Sequence, residues 1–221
     1  TGFLVVNHYL SGEKYSSLHS HLIKTAEKMN ISLRLKTNEQ MLFESERPDF
    51  VLFWDKDVNL AKSLENKGVP VFNSARSIAL CDDKAKTYLA LENKLKQPKT
   101  IIAPLSFFDV DYTDFIEKAG EVLGFPLVIK NCCGSFGEQV HLCQNVNEVL
   151  KYVTREPFLL QEYIECGGED VRIEVVGNRV VAAMKRKNEH DFRSNITNGG
   201  TAEKYIPTEK ECEIALTACR E

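Results

Sequence analysis

The sequence has no long apolar run and no CxxC pair of cysteines. No segment approaches the roughly 20 apolar residues that a bilayer-spanning helix needs. The opening residues TGFLVVNHYL lack the basic start and the long apolar stretch of a secretory signal peptide. The seven cysteines form no CxxC pair, which favours reduced thiols over disulfides or structural zinc. We therefore expect a cytoplasmic protein that does not associate with a membrane.

An excess of basic residues is also missing. The formal net charge is −4 and the isoelectric point is near 5.8, so the chain lacks the positive field that binding to nucleic acid requires. With 221 residues and 43% hydrophobic content, the chain can form one large domain or two small ones with ordinary cores. These values predict a soluble, globular protein that does not bind nucleic acid.

The N-terminal third contains neither a GxGxxG dinucleotide fingerprint nor a Walker A loop. Its apolar runs alternate with helical patterns, which predicts a parallel sheet covered by helices. We therefore expect an α/β, Rossmann-like unit over residues 1–73, a helical connector over 74–96 and an α+β domain over 97–221. In the last part, helices are predicted near 113–123 and 146–155, and strands over 100–105, 126–132, 139–144 and 158–164.

A β-hairpin over residues 170–187 is the clearest local prediction. Two alternating runs flank Gly177-Asn178, a pair that tolerates the positive φ of a two-residue turn. A regular register would place three cross-strand pairs on an apolar face: Val175 with Val180, Ile173 with Ala182, and Val171 with Met184. Asp170, Arg172, Glu174 and Lys185 would then share the opposite, charged face.

Two segments of the second half combine a buried strand with glycine and polar residues. In PLVIKNCCGSFGEQV, Lys130 ends a strand and precedes a loop with Gly134, Ser135, Phe136 and Gly137, which is suited to bring backbone amides close to a phosphate. In FLLQEYIECGGED, the backbone after a strand could bind adenine, and a carboxylate could bind ribose. Taken alone, each segment is also compatible with an ordinary loop.

A third segment, DFRSNITNGG, interrupts the β-like pattern after the hairpin. Together with Lys84 in CDDKAKTYLAL, Lys130, LLQEYI and the hairpin EDVRIEVVGNRVVAAMKRK, it resembles the ATP-grasp superfamily, and within it the RimK-like carboxylate–amine ligases. The five segments occur in the order and spacing of that family. The resemblance covers residues 74–221, and for residues 1–73 it implies only the α/β pre-ATP-grasp unit.

The resemblance implies a role for each matching residue. Lys84, Lys130 and the glycine loop would contact nucleotide phosphates. Gln161, Glu162 and Tyr163 would lie along the adenine, and Asp170 would meet the ribose. The residues that would line the transferring phosphate are Arg193, Ser194 and Asn195, with Arg172 and Arg186 as further catalytic candidates. Arg172 could instead pair with Glu174, and Lys84 and Arg193 could be solvated surface residues.

The family uses ATP with Mg²⁺, and its metal-binding Asp and Glu-x-Asn follow the helix that here begins near Thr208. Those residues are expected beyond the C-terminus of this chain, so the ATP-grasp domain is expected to lack its C-terminal part and no metal ligand is assigned. The implied activity joins a carboxylate to an amino acid or peptide amine through an acyl phosphate. A non-catalytic nucleotide-binding module and a purely structural protein are the alternatives, and homo-oligomerisation is compatible with the sequence.

Overall fold

The computed structural model describes residues 1–10, 12–135 and 137–221, which form two compact units, Thr1–Asp82 and Asp83–Glu221. The elements of the first unit are β1 (Gly2–Val6), α1 (Glu13–Lys28), β2 (Leu33–Thr37), α2 (Asn38–Leu42), β3 (Phe50–Trp54), α3 (Val58–Asn66), β4 (Val71–Phe72) and α4 (Ala75–Asp82). Those of the second unit are α5 (Lys84–Leu91), β5 (Thr100–Ile102), α6 (Thr113–Leu123), β6 (Leu127–Asn131), β7 (Val140–Cys143), α7 (Val146–Leu150), β8 (Phe158–Glu162), β9 (Glu169–Val176), β10 (Arg179–Lys187), a 3₁₀ turn (Ile196–Asn198), β11 (Thr201–Lys204) and α8 (Glu209–Arg220).

The first unit is a four-stranded parallel sheet in the order β2-β1-β3-β4, with helices on both faces. Because side chains alternate along a strand, β1 contributes Phe3 and Val5 to one core, and Leu4 and Val6 to the other. Helices α3 and α4 pack against the first core, and α1 packs against the second. This is the α/β arrangement that the alternation of strands and helices predicts.

The second unit contains two antiparallel sheets. One has the order β5-β8-β6-β7, and α6 and α7 cover the face that carries Leu127, Ile129 and Leu160. Alternation along β6 and β8 therefore directs Lys130 and Gln161 to the opposite face. The other sheet has the order β11-β10-β9, and α8 contacts β9 and β10.

Most strongly periodic segments form the predicted elements, with ends displaced by a few residues. The two helices over residues 74–96 belong to different units: α4 to the first and α5 to the second. The sequence reading missed the short elements α2 and β11. All four residues of β11 are exposed, so that strand carries no alternating apolar signal.

The hairpin forms with the predicted turn, but the predicted register is wrong beyond its first pairs. Val175 pairs with Val180 as expected, and a bulge at Val181 then shifts the remaining partners by one residue. Ile173 therefore faces Ala183 rather than Ala182, and Val171 faces Lys185 rather than Met184. Arg172 faces Met184, and Asp170 faces Arg186 instead of Lys185. The bulge thus brings Asp170 and Arg186 together.

No helix in the described part of the chain is both long enough and apolar enough to span a bilayer.

Candidate functional site

The glycine loop, residues 132–139, joins β6 to β7. Gly134 and Gly137 have φ values of +147° and +78°, which residues with a side chain rarely adopt. The side chain of Gln139 lies against Gly134, and the backbone carbonyl of Gln139 accepts a hydrogen bond from Asn131 N at 3.2 Å. The side chain of Gln139 therefore packs on the loop. Phe136 lies outside the described residues.

Lys130 lies in β6, two residues before this loop, and a neutral group holds its ammonium. Its Nζ donates to Gln161 Oε1 at 2.6 Å, and no carboxylate among the described residues forms a salt bridge with it. Burial lowers the pKa of Lys130 below its usual value, and the positive charge of Lys84 lowers it further. The ammonium groups of Lys84 and Lys130 are close enough to interact electrostatically, and Lys130 is partly buried without a carboxylate partner among the described residues. This environment favours an incoming polyanion.

Lys84 is positioned by the first turn of α5. The Asp83 side chain caps this helix by accepting from Ala85 N at 3.0 Å and Lys86 N at 3.2 Å. The backbone of Lys84 donates to Cys132 O at 2.8 Å, and its Nζ lies 3.4 Å from the same oxygen. The cap and the backbone bond together fix the start of α5 against the beginning of the glycine loop.

Arg193 contacts the other end of the loop. Its Nη1 donates to Gly137 O at 2.7 Å and to Val140 O at 3.3 Å, while Nε and Nη2 bind the carboxylate of Asp191, the latter at 2.6 Å. Val140 is the cross-strand partner of Lys130, so Arg193 binds the backbone of the residue that pairs with Lys130 in the sheet. Asp191 raises the pKa of Arg193, and Arg193 lowers the pKa of Asp191.

Asn188 organises the segment that carries Arg193, and the sequence reading missed it. Its side chain is buried, donates to Arg193 O at 3.2 Å and Asn198 O at 2.9 Å, and accepts from His190 N at 3.0 Å. Gly168, with φ of +69°, lies directly against the carbonyl of Asn188, where a side chain would overlap it. The signals available in sequence were the asparagine directly after β10 and the acidic Asp191 two residues before Arg193.

Ser194 and Asn195 are the next two residues after Arg193 in the chain. Ser194 is buried, and Asn195 Oδ1 would lie 3.1 Å from a side chain built on Gly137. Asn195 therefore lies close to Gly137 of the loop. That role and the role of Ser194 toward phosphate stay predictions.

The predicted adenine-side residues are held by local contacts. Glu162 Oε1 accepts from Lys99 N at 2.7 Å, so this carboxylate joins two chain segments. The Tyr163 hydroxyl donates to Glu165 at 3.0 Å, and its ring packs edge-to-face on Phe192. Burial and then Glu165 raise the pKa of Tyr163. Phe192 connects this segment to the Arg193 segment.

The remaining two arginines are each paired with a carboxylate. Arg186 binds Asp170 through two hydrogen bonds of 2.7 and 2.5 Å, in the fork geometry typical of strong arginine–carboxylate pairs. Arg172 binds Glu174 at 2.6 Å on an exposed part of the sheet. For Arg172 the contact favours the ion-pair interpretation, and the predicted catalytic roles of Arg172 and Arg186 stay predictions.

Within residues 1–10, 12–135 and 137–221 there is no group of three or more His, Cys, Asp or Glu side chains that could hold a metal ion. Lys84, Lys130 and the glycines of the loop, which are predicted to contact phosphates, supply the positive charge and backbone amides that a polyanion needs.

Comparison with known proteins agrees with the arrangement of these segments. A family model described as a RimK-like ATP-grasp domain matches residues 81–221, which is more than half of the chain. The chain belongs to the RimK-like ATP-grasp family. The resemblance inferred from the sequence segments is thereby confirmed. Members of this ATP-grasp family are ligases that act on a carboxylate and an amine.

Two relatives and one solved structure illustrate the similarity of this RimK-like chain to known proteins. An uncharacterised MG012 homologue of Mycoplasma pneumoniae is 35% identical over 208 residues, covering 87% of this chain and 72% of that protein. A probable alpha-L-glutamate ligase of Trichodesmium erythraeum is 36% identical over 170 residues, covering 73% of this chain and 54% of that protein. The chain thus spans about half the length of that ligase.

A RimK domain ATP-grasp protein of Sphaerobacter thermophilus aligns with 100% of this chain and 81% of its own, with a TM-score of 0.69 and 17% identity. At this identity the likeness concerns the fold alone.

Proposed function

We propose that the chain contributes the nucleotide site of an ATP-dependent ligase that joins an amino acid, such as glutamate, to a carboxylate. The observation that carries the proposal is the position of Lys130. Its ammonium lies at the start of a glycine loop, beside Lys84, with a neutral hydrogen-bond acceptor in place of a carboxylate. A polyanion that enters would supply the missing negative charge.

The proposed chemistry proceeds in two steps. A carboxylate oxygen attacks the γ-phosphorus of ATP, the bond to the β,γ-bridging oxygen breaks, and an acyl phosphate and ADP result. The amine then attacks the acyl carbon, phosphate leaves, and one proton is lost from nitrogen. Negative charge accumulates on the phosphoryl group in the first step, so Lys84, Lys130 and the loop amides would act by charge stabilisation.

Magnesium, when bound, would supply positive charge that neutralises part of the charge on the phosphates. The residues of this chain would bind and orient the nucleotide. Lys130 and Lys84 would hold its phosphates, and the backbone after Glu162 would lie beside the adenine. Arg193 would support the loop from its outer side through Gly137 and Val140.

Thermal unfolding with Mg-ATP and Mg-ADP tests nucleotide binding. A ligand at 100 times its dissociation constant stabilises the folded state by about 2.7 kcal/mol, so we expect a rise of several degrees in the melting temperature. Lys130→Met should abolish most of this rise, while Lys118→Met, which changes an exposed lysine of α6, should not. Equal rises in both variants would contradict the proposed site.

ADP release tests the ligase assignment separately. We expect ADP to accumulate only when an amino acid and a carboxylate acceptor are both present. Nucleotide binding without release that depends on an added amino acid would instead favour the non-catalytic module.

A further inference from the structure

We propose that Thr100 is a positioning residue for Lys130 and acts through the side-chain amide of Gln161. The inference rests on the proposed function, because it gives Lys130 a phosphate to bind. The three residues lie on three strands, β5, β8 and β6, and Thr100 is the direct cross-strand partner of Gln161. None of the sequence motifs includes Thr100.

The hydrogen bonds of the three side chains run in one direction. Lys130 Nζ donates to Gln161 Oε1 at 2.6 Å, Gln161 Nε2 donates to Thr100 Oγ1 at 2.7 Å, and Thr100 Oγ1 donates to Pro98 O at 3.0 Å. A threonine hydroxyl has a single proton. Because that proton is directed to the carbonyl of Pro98, the hydroxyl oxygen can only accept from Gln161.

This constraint fixes the orientation of the Gln161 amide. With its NH₂ group bound to Thr100, Gln161 must present its oxygen to Lys130. The reverse orientation would place the NH₂ donors of Gln161 against the ammonium of Lys130. It would also leave the amide oxygen of Gln161 facing the Thr100 hydroxyl, whose proton is already directed to Pro98. Thr100 therefore selects the amide orientation that can hold Lys130.

The neutral amide also preserves the charge of Lys130. A lysine side chain loses considerable rotamer freedom when it is ordered, and the bond to Gln161 holds it before a ligand arrives. A carboxylate in the place of Gln161 would hold the ammonium as well but would neutralise it. An amide positions the charge and leaves it available to a phosphate, which is the property that a preorganised anion site needs.

The matched variants are Thr100→Val, which keeps the shape and removes the hydroxyl, and Thr100→Ser, which keeps the hydroxyl. Loss of one ordering hydrogen bond changes binding by roughly 1 kcal/mol, so we expect Thr100→Val to weaken Mg-ATP binding about fivefold by calorimetry. Thr100→Ser should bind Mg-ATP within about twofold of the unaltered chain. Wild-type affinity in Thr100→Val would overturn the inference.

The pH dependence of binding separates positioning from a general packing defect. The bond to Gln161 favours the charged form of Lys130, so its loss should lower the pKa of Lys130. The alkaline decline of Mg-ATP affinity should therefore begin at lower pH in Thr100→Val, and not in Thr100→Ser. A weaker but parallel pH profile in Thr100→Val would indicate a structural role only and would overturn the inference.

Lys130→Met distinguishes this inference from the proposed function. If that variant loses Mg-ATP binding while Thr100→Val keeps full affinity, the inference fails and the phosphate role of Lys130 stands. If Lys130→Met binds Mg-ATP as well as the unaltered chain, the proposed function fails and the inference fails with it. Loss in Lys130→Met together with a shifted pH profile in Thr100→Val supports both.

Discussion

Replacement of Arg193 by alanine should release the glycine loop without unfolding the chain. The guanidinium is the group that ties Gly137 O and Val140 O to Asp191. A hydrogen bond from a charged donor contributes about 1.5 to 3 kcal/mol, and the Arg193 side chain is 25% exposed, so the lower value applies. The longer bond to Val140 adds a fraction of that. Their sum, about 2 kcal/mol, corresponds to roughly a 30-fold change in loop opening.

Amide hydrogen exchange measures this opening directly. The amides of Asn131 and Glu138 are bonded to Gln139 O and Ser135 O, so both should exchange roughly 30 times faster in Arg193→Ala. Val51 N, bonded to Pro70 O in the first unit, is the internal control and should not change. Arg193→Lys should show an intermediate rate, because one ammonium cannot reach the carboxylate and both carbonyls. Unchanged exchange at Asn131 and Glu138 in Arg193→Ala would refute the reasoning.

Acid should release the same loop. The hydrogen bond from Arg193 lowers the pKa of Asp191 below its usual value of about 3.9. A carboxylate with a lowered folded-state pKa stabilises the structure above the unfolded-state pKa, and this stabilisation is lost as the pH falls through the folded-state pKa. After correction for intrinsic rates, exchange in the loop should stay constant from neutral pH to about pH 4 and rise below it. Arg193→Ala should lack this acid step.

Three further substitutions test other parts of the second unit. Burial disfavours the charged form of Lys130 and lowers its pKa in the folded state. Without nucleotide, the free energy of unfolding should therefore rise with pH between this lowered pKa and the unfolded-state lysine pKa of about 10.4. Urea titrations of Lys130→Met should lack that rise. Gly168→Ala should cost about 2 kcal/mol more than Gly177→Ala in urea unfolding, since both glycines have positive φ but only the first faces a backbone oxygen. Asn188→Leu should destabilise by about 2 to 3 kcal/mol, because it leaves two partly buried carbonyls without their donor.

Elements governed by local periodicity could be predicted from the sequence, and elements governed by tertiary packing could not. The turn at Gly177 follows from local backbone preference, so its position was accessible. The bulge at Val181 inserts one residue into a pattern whose alternation continues on either side, and no local signal distinguishes it from a regular strand. The short helix α2 carried a capping box of Thr37 and Gln40, a signal that was present in the sequence.

The same division applies to the candidate site. Lys130 and the glycine loop are adjacent in sequence, so the motif indicated their association. Arg193 and Gly137 are 56 residues apart, and no pattern in one segment indicates that a guanidinium will bind the carbonyl of the other. Asn188 shows the limit most clearly, because its importance comes from two carbonyls that only the folded chain brings to its amide.

The cations of the site differ in whether a carboxylate already compensates their charge. Arg172, Arg186 and Arg193 each bind an acidic side chain, so a phosphate that approached one of them would have to compete with that carboxylate. Lys130 is held by an amide, which offers no such competition. A polyanion that approached these cations would therefore meet the least competition from a carboxylate at Lys130. Arg193, which the family resemblance assigns to the transferring phosphate, already binds Asp191 and the carbonyls of Gly137 and Val140, so its contacts are with the glycine loop and an acidic neighbour.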